Sequence, residues 1–236
     1  MNKVKLVAAA ALAVFPFLVW AADKTGAAAP QLNTFDEKIS YVIGRQIGQS
    51  LEGTPAQFDL KLLMRGIEDV VGKRPSPIPA EEEQQLKTEF SAKVKEEQSR
   101  KWAAAAEANL KAEEAFLAKN KSEKGVVTTA SGLQYQVIKK GAGPMPKESD
   151  RVKVHYRGKL LDGTEFDSSY ARKEPAVFNV NGVIPGWTEA LQLMPAGSSY
   201  RVFVPSKLAY GGRGAGGAIG PNAMLVFEVE LLEIVN

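Results

Sequence analysis

His155 is the only histidine in the chain, and there is no cysteine. Thiol nucleophiles, disulfides, Cys–His and Ser–His–Asp sites, and zinc centres built on Cys or several His are therefore excluded unless His155 serves alone. His155 alternates with Val154 and Tyr156 on a strand-like run, which turns it to the face opposite theirs. Gly211, Gly212, Gly214, Gly216 and Gly217 form a dense glycine run. It lacks the lysine and serine that make such a run a phosphate loop, so it reads as a mobile rim. The chemistry left available needs little proton transfer, and no metal or cofactor is expected.

The bulk composition sets the class of molecule. Hydrophobic residues make up 44% and charged residues 24%, enough to bury a core. Lys plus Arg 30 against Asp plus Glu 27 gives a net charge of only +3, which argues against a dedicated nucleic-acid binder. Lys3 and Lys5 precede an apolar run from Leu6 to Trp20, and Val19-Trp20-Ala21 provides small residues for cleavage, predicting a signal peptide over residues 1–21. That run is shorter than the roughly 20 residues that span a bilayer. The mature chain is thus expected to lack an integral membrane segment and to reside in the periplasm, or to be secreted or associated with the outer surface.

The elements that must position any site follow from where glycine and proline fall. Residues 22–33 read as a flexible leader. Thr34-Phe35-Asp36-Glu37 fits a capping box opening a helix with apolar Phe35, Ile39, Val42, Ile43, Ile47 and Leu51, closed by Gly53. Gly44 and Gly48 would admit another backbone, either from the same chain or from a second copy. Asp59 caps a second helix that ends at Gly72. Two helices this small cannot make a core alone. From Ala80 to about Asn120 there is neither Gly nor Pro, and acid-first i,i+4 pairs such as Glu83 with Lys87 and Glu96 with Arg100 predict one long, largely solvated helix. Its apolar residues drift from Leu86, Phe90 and Val94 on one face to Trp102, Ala106, Leu110 and Leu117 on another. This favours a strut joining two bodies over a coiled coil, with a helix folded back on its own domain as the other reading. Fifteen of the 21 glycines fall at or after Gly125, where alternating runs such as Val152–Tyr156 and Tyr200–Val204 predict an antiparallel sheet. Trp187–Leu193 is the one helix among them.

The predicted class is α+β. An all-α dimerisation module covers residues 34–79, a connecting helix covers 80–121, and an antiparallel sheet wrapped around a short helix covers 125–236.

Five motifs in the last segment stand in one order: Val154-His155-Tyr156-Arg157-Gly158, Gly163-Thr164-Glu165-Phe166-Asp167-Ser168-Ser169, Val183-Ile184-Pro185-Gly186-Trp187, Leu208-Ala209-Tyr210-Gly211 and Leu225-Val226-Phe227-Glu228-Val229-Glu230-Leu231. Their order and spacing resemble the FKBP-type peptidyl-prolyl isomerases from about Ser131 to Val235. The whole layout is similar to the exported bacterial group that includes the macrophage infectivity potentiator and FkpA. The resemblance implies an FKBP-like sheet and a prolyl isomerase, with Tyr156, Phe166, Asp167, Tyr210 and Phe227 as catalytic residues. It implies Val183, Ile184, Trp187, Ile219 and Arg172 as substrate-binding residues. Trp187 would floor the pocket, the Ile184 N–H and the Tyr210 hydroxyl would hold substrate carbonyls, and Asp167 would accept from Tyr156 and Arg172. Ala176 stands where many single-domain members carry an aromatic wall, which implies a more open pocket on that side. The implied partners are unfolded or folding exported proteins with X–Pro bonds, macrolide ligands of the family, and a second copy in a homodimer. A holding chaperone or surface-interaction protein built on the same fold, without catalysis, is the alternative.

Overall fold

The computed structural model describes residues 30–235; the expected signal peptide and most of the leader lie outside the described residues. The chain divides into two compact units between Gly53 and Thr54.

The described part of the first unit carries α1 (Phe35–Leu51). Its capping box is formed as expected: Thr34 Oγ1 accepts from the Glu37 N–H at 3.2 Å, and Glu37 Oε2 accepts from the Thr34 N–H at 2.9 Å. No residue of α1 is buried, and Phe35, Ile39, Val42 and Ile43 are exposed. A side chain at Gly44 or Gly48 would meet nothing within 4 Å among the described residues.

The second unit opens with α2 (Leu60–Val71), capped by Asp59 Oδ1 on the N–H groups of Lys61 and Leu62, and continues into α3 (Ala80–Asn120), 41 residues and about 60 Å long. Ion pairs run along α3 from Glu83 to Lys87, Glu89 to Lys93 and Glu107 to Lys111. Arg100 departs from expectation and pairs with Glu97, one residue nearer than Glu96, at 2.8 Å. Near its start α3 meets the preceding segment edge-on, Phe90 against Phe58.

Seven antiparallel strands follow: β1 (Val126–Thr128), β2 (Gln134–Lys139), β3 (Arg151–Leu160), β4 (Glu165–Ser168), β5 (Ala176–Asn179), β6 (Ser199–Val204) and β7 (Leu225–Val235), with α4 (Pro185–Gln192) between β5 and β6. The sheet runs β1-β2-β6-β7-β3-β4, and β5 also pairs with β3. The period of two selects the inner face. Val152, Val154 and Tyr156 of β3 and Leu225, Phe227, Val229 and Leu231 of β7 are buried there, together with Trp187, Ala190 and Leu191 of α4. Pro185 supplies the first turn of α4, where its missing N–H costs nothing.

The outer face is not left wholly to water. Phe203 breaks the alternation of β6 and is buried because Phe116 of α3 lies 5.5 Å from it. Gln134, its cross-strand neighbour, is also buried; its Oε1 accepts from Asn120 Nδ2 at 2.8 Å and its Nε2 donates to the Leu117 carbonyl at 3.0 Å. Glu113 Oε2 accepts from the Ser206 N–H at 2.7 Å, in a buried site. Asn109 Nδ2 donates to the Pro221 carbonyl at 2.7 Å, and Trp102 Nε1 to the Gly212 carbonyl at 3.1 Å. The stripe that meets the sheet is therefore Ala105, Ala106, Asn109, Glu113, Phe116, Leu117 and Asn120, while Leu110, expected on it, is 42% exposed. Three polar residues hold the contact face because the surface they meet presents backbone and amide groups that need partners.

Removing the Glu113 carboxyl leaves a buried N–H without an acceptor. Glu113→Ala is expected to cost about 1–3 kcal/mol of stability, and Glu113→Gln, which keeps an acceptor, less, both read as shifts in the denaturant midpoint.

Candidate active site

Inner-face residues of β3, β4, β5 and β7 and the start of α4 enclose a cavity of about 420 Å³, lined by Tyr156, Phe166, Asp167, Phe178, Gly182, Val183, Ile184, Trp187, Tyr210 and Phe227. Trp187 lies at its base, 5% exposed, with its ring set edge-on to Tyr156 at 5.2 Å, Phe178 at 5.6 Å and Phe227 at 5.2 Å. Phe166 meets Phe227 at 5.7 Å, also edge-on. Both rings close over Gly158 of β3, where a Cβ would lie 2.7 Å from Phe166 and 2.8 Å from Phe227. Any side chain there would push the two rings apart.

One wall is polar. The Tyr156 hydroxyl donates to Asp167 Oδ2 at 2.5 Å and accepts from Arg172 at 2.8 Å, and Arg172 also pairs with Asp167 Oδ1. Partial burial alone would raise the Asp167 pKa, but the Tyr156 hydroxyl and the Arg172 guanidinium outweigh it and hold the carboxyl below the usual range. Burial, then the bond to Asp167, pushes the Tyr156 phenol up, so it stays a donor at ordinary pH. Two groups on the cavity have no partner among the described residues: the Tyr210 hydroxyl and the buried Trp187 Nε1.

Eight of the ten expected residues line the cavity. Arg172 stands outside the lining and acts on it through Tyr156 and Asp167. Ile219 does not line it. Its backbone bridges to Ala215 and its side chain joins the buried core, because that bridge turns the loop back on itself. Phe178 and Gly182 are the lining residues absent from the sequence expectation; Gly182 directly precedes Val183, and Phe178 is the aromatic one. It lies two residues beyond Ala176 on β5 and so on the same face, which was the available signal. The aromatic absent at Ala176 is thereby supplied one pleat later. His155 is outside the lining, stacked on Tyr170 at 4.7 Å with Nδ1 3.0 Å from Ser169 Oγ.

A second hollow of about 730 Å³ lies between the end of α3 and the outer face of the sheet. Its lining mixes Lys124, Lys159, Arg201, Glu123 and Glu228 with Phe116 and Phe203, and it lacks the aromatic enclosure of the first.

Comparison with known proteins agrees with this architecture. The family described as FKBP-type peptidyl-prolyl cis-trans isomerase matches residues 143–232, and the domain described as amino terminal to FKBP-type peptidyl-prolyl isomerase matches residues 36–137. The aromatic well, the sheet closed over α4 and these matches define the class: the chain belongs to the FKBP-type peptidyl-prolyl cis-trans isomerases. Within it the chain is 46% identical over 208 residues to the FKBP-type 22 kDa peptidyl-prolyl cis-trans isomerase of Escherichia coli K12, covering 87% of this chain and 98% of that one. It is 40% identical over 232 residues to the outer membrane protein MIP of Legionella longbeachae, covering 98% of each. The crystal structure of FkpA from Escherichia coli superimposes with a TM-score of 0.67 at 38% identity, covering 86% of this chain and 98% of that one.

The raised Tyr156 phenol and the lowered Asp167 carboxyl both keep their charge state through neutrality. The stabilisation that ionised Asp167 contributes is present above its unfolded pKa of about 3.9 and is lost only as pH falls through the lower folded value. Turnover of a neutral X–Pro peptide is therefore expected to vary little between about pH 5.5 and 8. A bell or sigmoid near about pH 6.5 that disappears in His155→Gln would overturn this reading.

Proposed function

We propose that the 420 Å³ cavity is where the isomerase turns the X–Pro bond, with the substrate proline ring seated over Trp187 between Phe166, Phe227, Val183 and Ile184. The observation that carries this reading is an aromatic-lined well with unpartnered donors at its base and rim. Rotation about an X–Pro amide is opposed by a barrier of about 18–20 kcal/mol, set by conjugation, and breaks no bond. The planar amide is the more polar form, so a site that excludes water while holding the flanking carbonyls favours the twisted one. The Tyr210 hydroxyl and the Ile184 N–H are the donors placed to hold them. Asp167 and Arg172 lock the Tyr156 ring against Trp187 and give that wall a fixed dipole.

The first two helices serve a different task. α1 and α2 expose Phe35, Ile39, Val42, Ile43, Leu60, Leu62, Met64, Val70 and Val71. Surfaces of this kind are what a second copy covers, and Gly44 and Gly48 leave room for its backbone. Residues 34–79 are accordingly the homodimerisation module, 80–121 the connecting helix and 125–236 the isomerase domain. The clients are unfolded exported chains met in the periplasm after removal of residues 1–21. In support, no helix among the described residues is long and apolar enough to cross a membrane. A dimer raises the effective concentration of the second site for a long client and adds nothing for a tetrapeptide.

A protease-coupled assay on short X–Pro peptides tests the site. Tyr210→Phe is expected to lower kcat/KM about three- to tenfold with thermal stability unchanged, whereas Trp187→Ala should destabilise the fold by about 3–5 kcal/mol. If Tyr210→Phe and Asp167→Ala both left turnover intact, the site would be wrongly placed. A fragment beginning near Ala80 keeps all of α3 and is expected to sediment as a monomer with the peptide turnover of the full chain. On a proline-limited refolding protein it should be markedly slower. A dimeric fragment, or equal rates on both substrates, would refute the assignment of α1 and α2.

A further inference from the structure

Tyr210 stands at the start of a glycine-rich loop whose own bonds are few: a short turn over Gly211–Arg213 and the Ala215–Ile219 bridge at the arch. Five of the seven residues from Gly211 to Gly217 are glycine, and Gly211, Gly214, Gly216 and Gly217 have φ of 55°, 60°, 58° and 71°. A side chain at Gly214 would run into the Ile219 carbonyl, so the arch needs its glycine there. Freedom of this kind would let the Tyr210 hydroxyl wander, yet an ordered donor is what holding a substrate carbonyl requires.

Two further bonds reach the loop from α3, outside it. Trp102 donates its indole N–H to the Gly212 carbonyl at 3.1 Å on the outgoing limb, and Asn109 donates to the Pro221 carbonyl at 2.7 Å on the returning one. The Asn222 N–H, bonded to the Gly211 carbonyl at 2.8 Å, ties the two limbs together between these points. Trp102 and Asn109 are seven residues apart on α3, two turns on one face, about 10 Å of rise that spans the base of the loop. Trp102 is 48% exposed, so burial is not what keeps a tryptophan there. Helix and loop also approach closely at Gly220, where an added Cβ would lie 3.5 Å from Asn109 Nδ2.

We infer that Trp102 and Asn109 are positioning residues of the isomerase, which hold the Gly212 and Pro221 carbonyls and thereby fix the loop that presents Tyr210 to the cavity. This rests on the reading of Tyr210 given above. Neither residue lines the cavity, and both act through backbone that follows Tyr210, on either side of the arch.

The test uses the full chain. Trp102→Phe keeps the ring and deletes the donor, and Asn109→Asp turns a donor into an acceptor facing a carbonyl; Asn109→Ala is the uncharged second variant. Glu113, Phe116 and Asn120 still hold the helix to the sheet, and the thermal midpoint checks that they do. The expected result is faster amide hydrogen exchange over residues 209–223 and a fall in peptide kcat/KM of about three- to tenfold, the size of one lost hydrogen bond. The decisive arm combines each variant with Tyr210→Phe: with that hydroxyl gone, loosening the loop should cost little more, so the effects are non-additive. Unchanged exchange, faster exchange with unchanged turnover, or effects that add to that of Tyr210→Phe would each overturn the inference. A Tyr210→Phe chain that turns over like the parent overturns the reading of Tyr210 itself and this route with it, and is recognised because it needs no change at Trp102 or Asn109.

Discussion

Trp187 is gripped edge-on by rings from three different strands, and the cavity depends on that grip. Tyr156 comes from β3, Phe178 from β5 and Phe227 from β7, each 5.2–5.6 Å from the indole. Edge-to-face contacts of this kind add about 0.5–1.5 kcal/mol each beyond the area they bury. They also couple the floor to strand register: β3 pairs with both β5 and β7, so a slip of one residue would turn one of the three rings out of the core. The sheet curls over α4 because the indole is where those three strands can all reach. The loop carrying Tyr210 then only has to lie across the open side.

Covering the other face of the sheet with a single long helix solves two problems together. Phe203 and Gln134 would stand in water on an open face; Phe116, Leu117 and Asn120 bury them. The same helix surface meets backbone in the connection between β6 and β7, where apolar side chains would leave N–H and C=O groups unpaired at about 1–3 kcal/mol each. Glu113 and Asn109 sit there, facing Ser206 and Pro221. The C-terminal half of α3 is thus packed as part of the isomerase unit, although it reads as a polar strut.

That difference shows what is legible in a sequence of this kind. The inner face was readable from β3, where alternation is strict and a period of two has only one solution, whereas β7 reads only as an apolar-rich run. Eight cavity residues were readable through motifs whose spacing is fixed by those strands. The helix boundaries were readable from Thr34, Asp59 and the stretch without Gly or Pro, since caps and breakers act locally. The contact face of α3 was not: its stripe is Asn109, Glu113 and Asn120 as much as Phe116 and Leu117, and a hydrophobic pattern gives no weight to residues that bury a polar group against backbone. Phe178 lies outside the five motifs, and its only signal is that it shares a face of β5 with Ala176. Ile219 lies in a glycine-rich loop whose backbone bridge leaves no periodic trace, so its packing into the core beside the cavity is not legible either.

An enzyme that breaks no bond has only geometry with which to lower its barrier, so loose geometry is lost rate. Binding the planar and the twisted amide equally well would bring no acceleration. On the proposed site, the well must therefore be stiff where it would meet the proline ring and ordered where it would hold the flanking carbonyls, while a client chain still has to enter and leave. Stiffness at the floor comes from interlocked rings whose rotation is blocked by their neighbours. At the rim a similar ring cluster would bar entry, so the backbone is built from glycine instead. Glycine admits the arch but gives up the order, and the order has to be restored by something that does not fill the opening. A helix on the outside of the sheet, reaching the loop through an indole N–H and an amide, meets that requirement: it holds the two limbs and leaves the tip of the arch at Gly216 and Gly217 unobstructed, where an added Cβ would meet nothing within 4 Å.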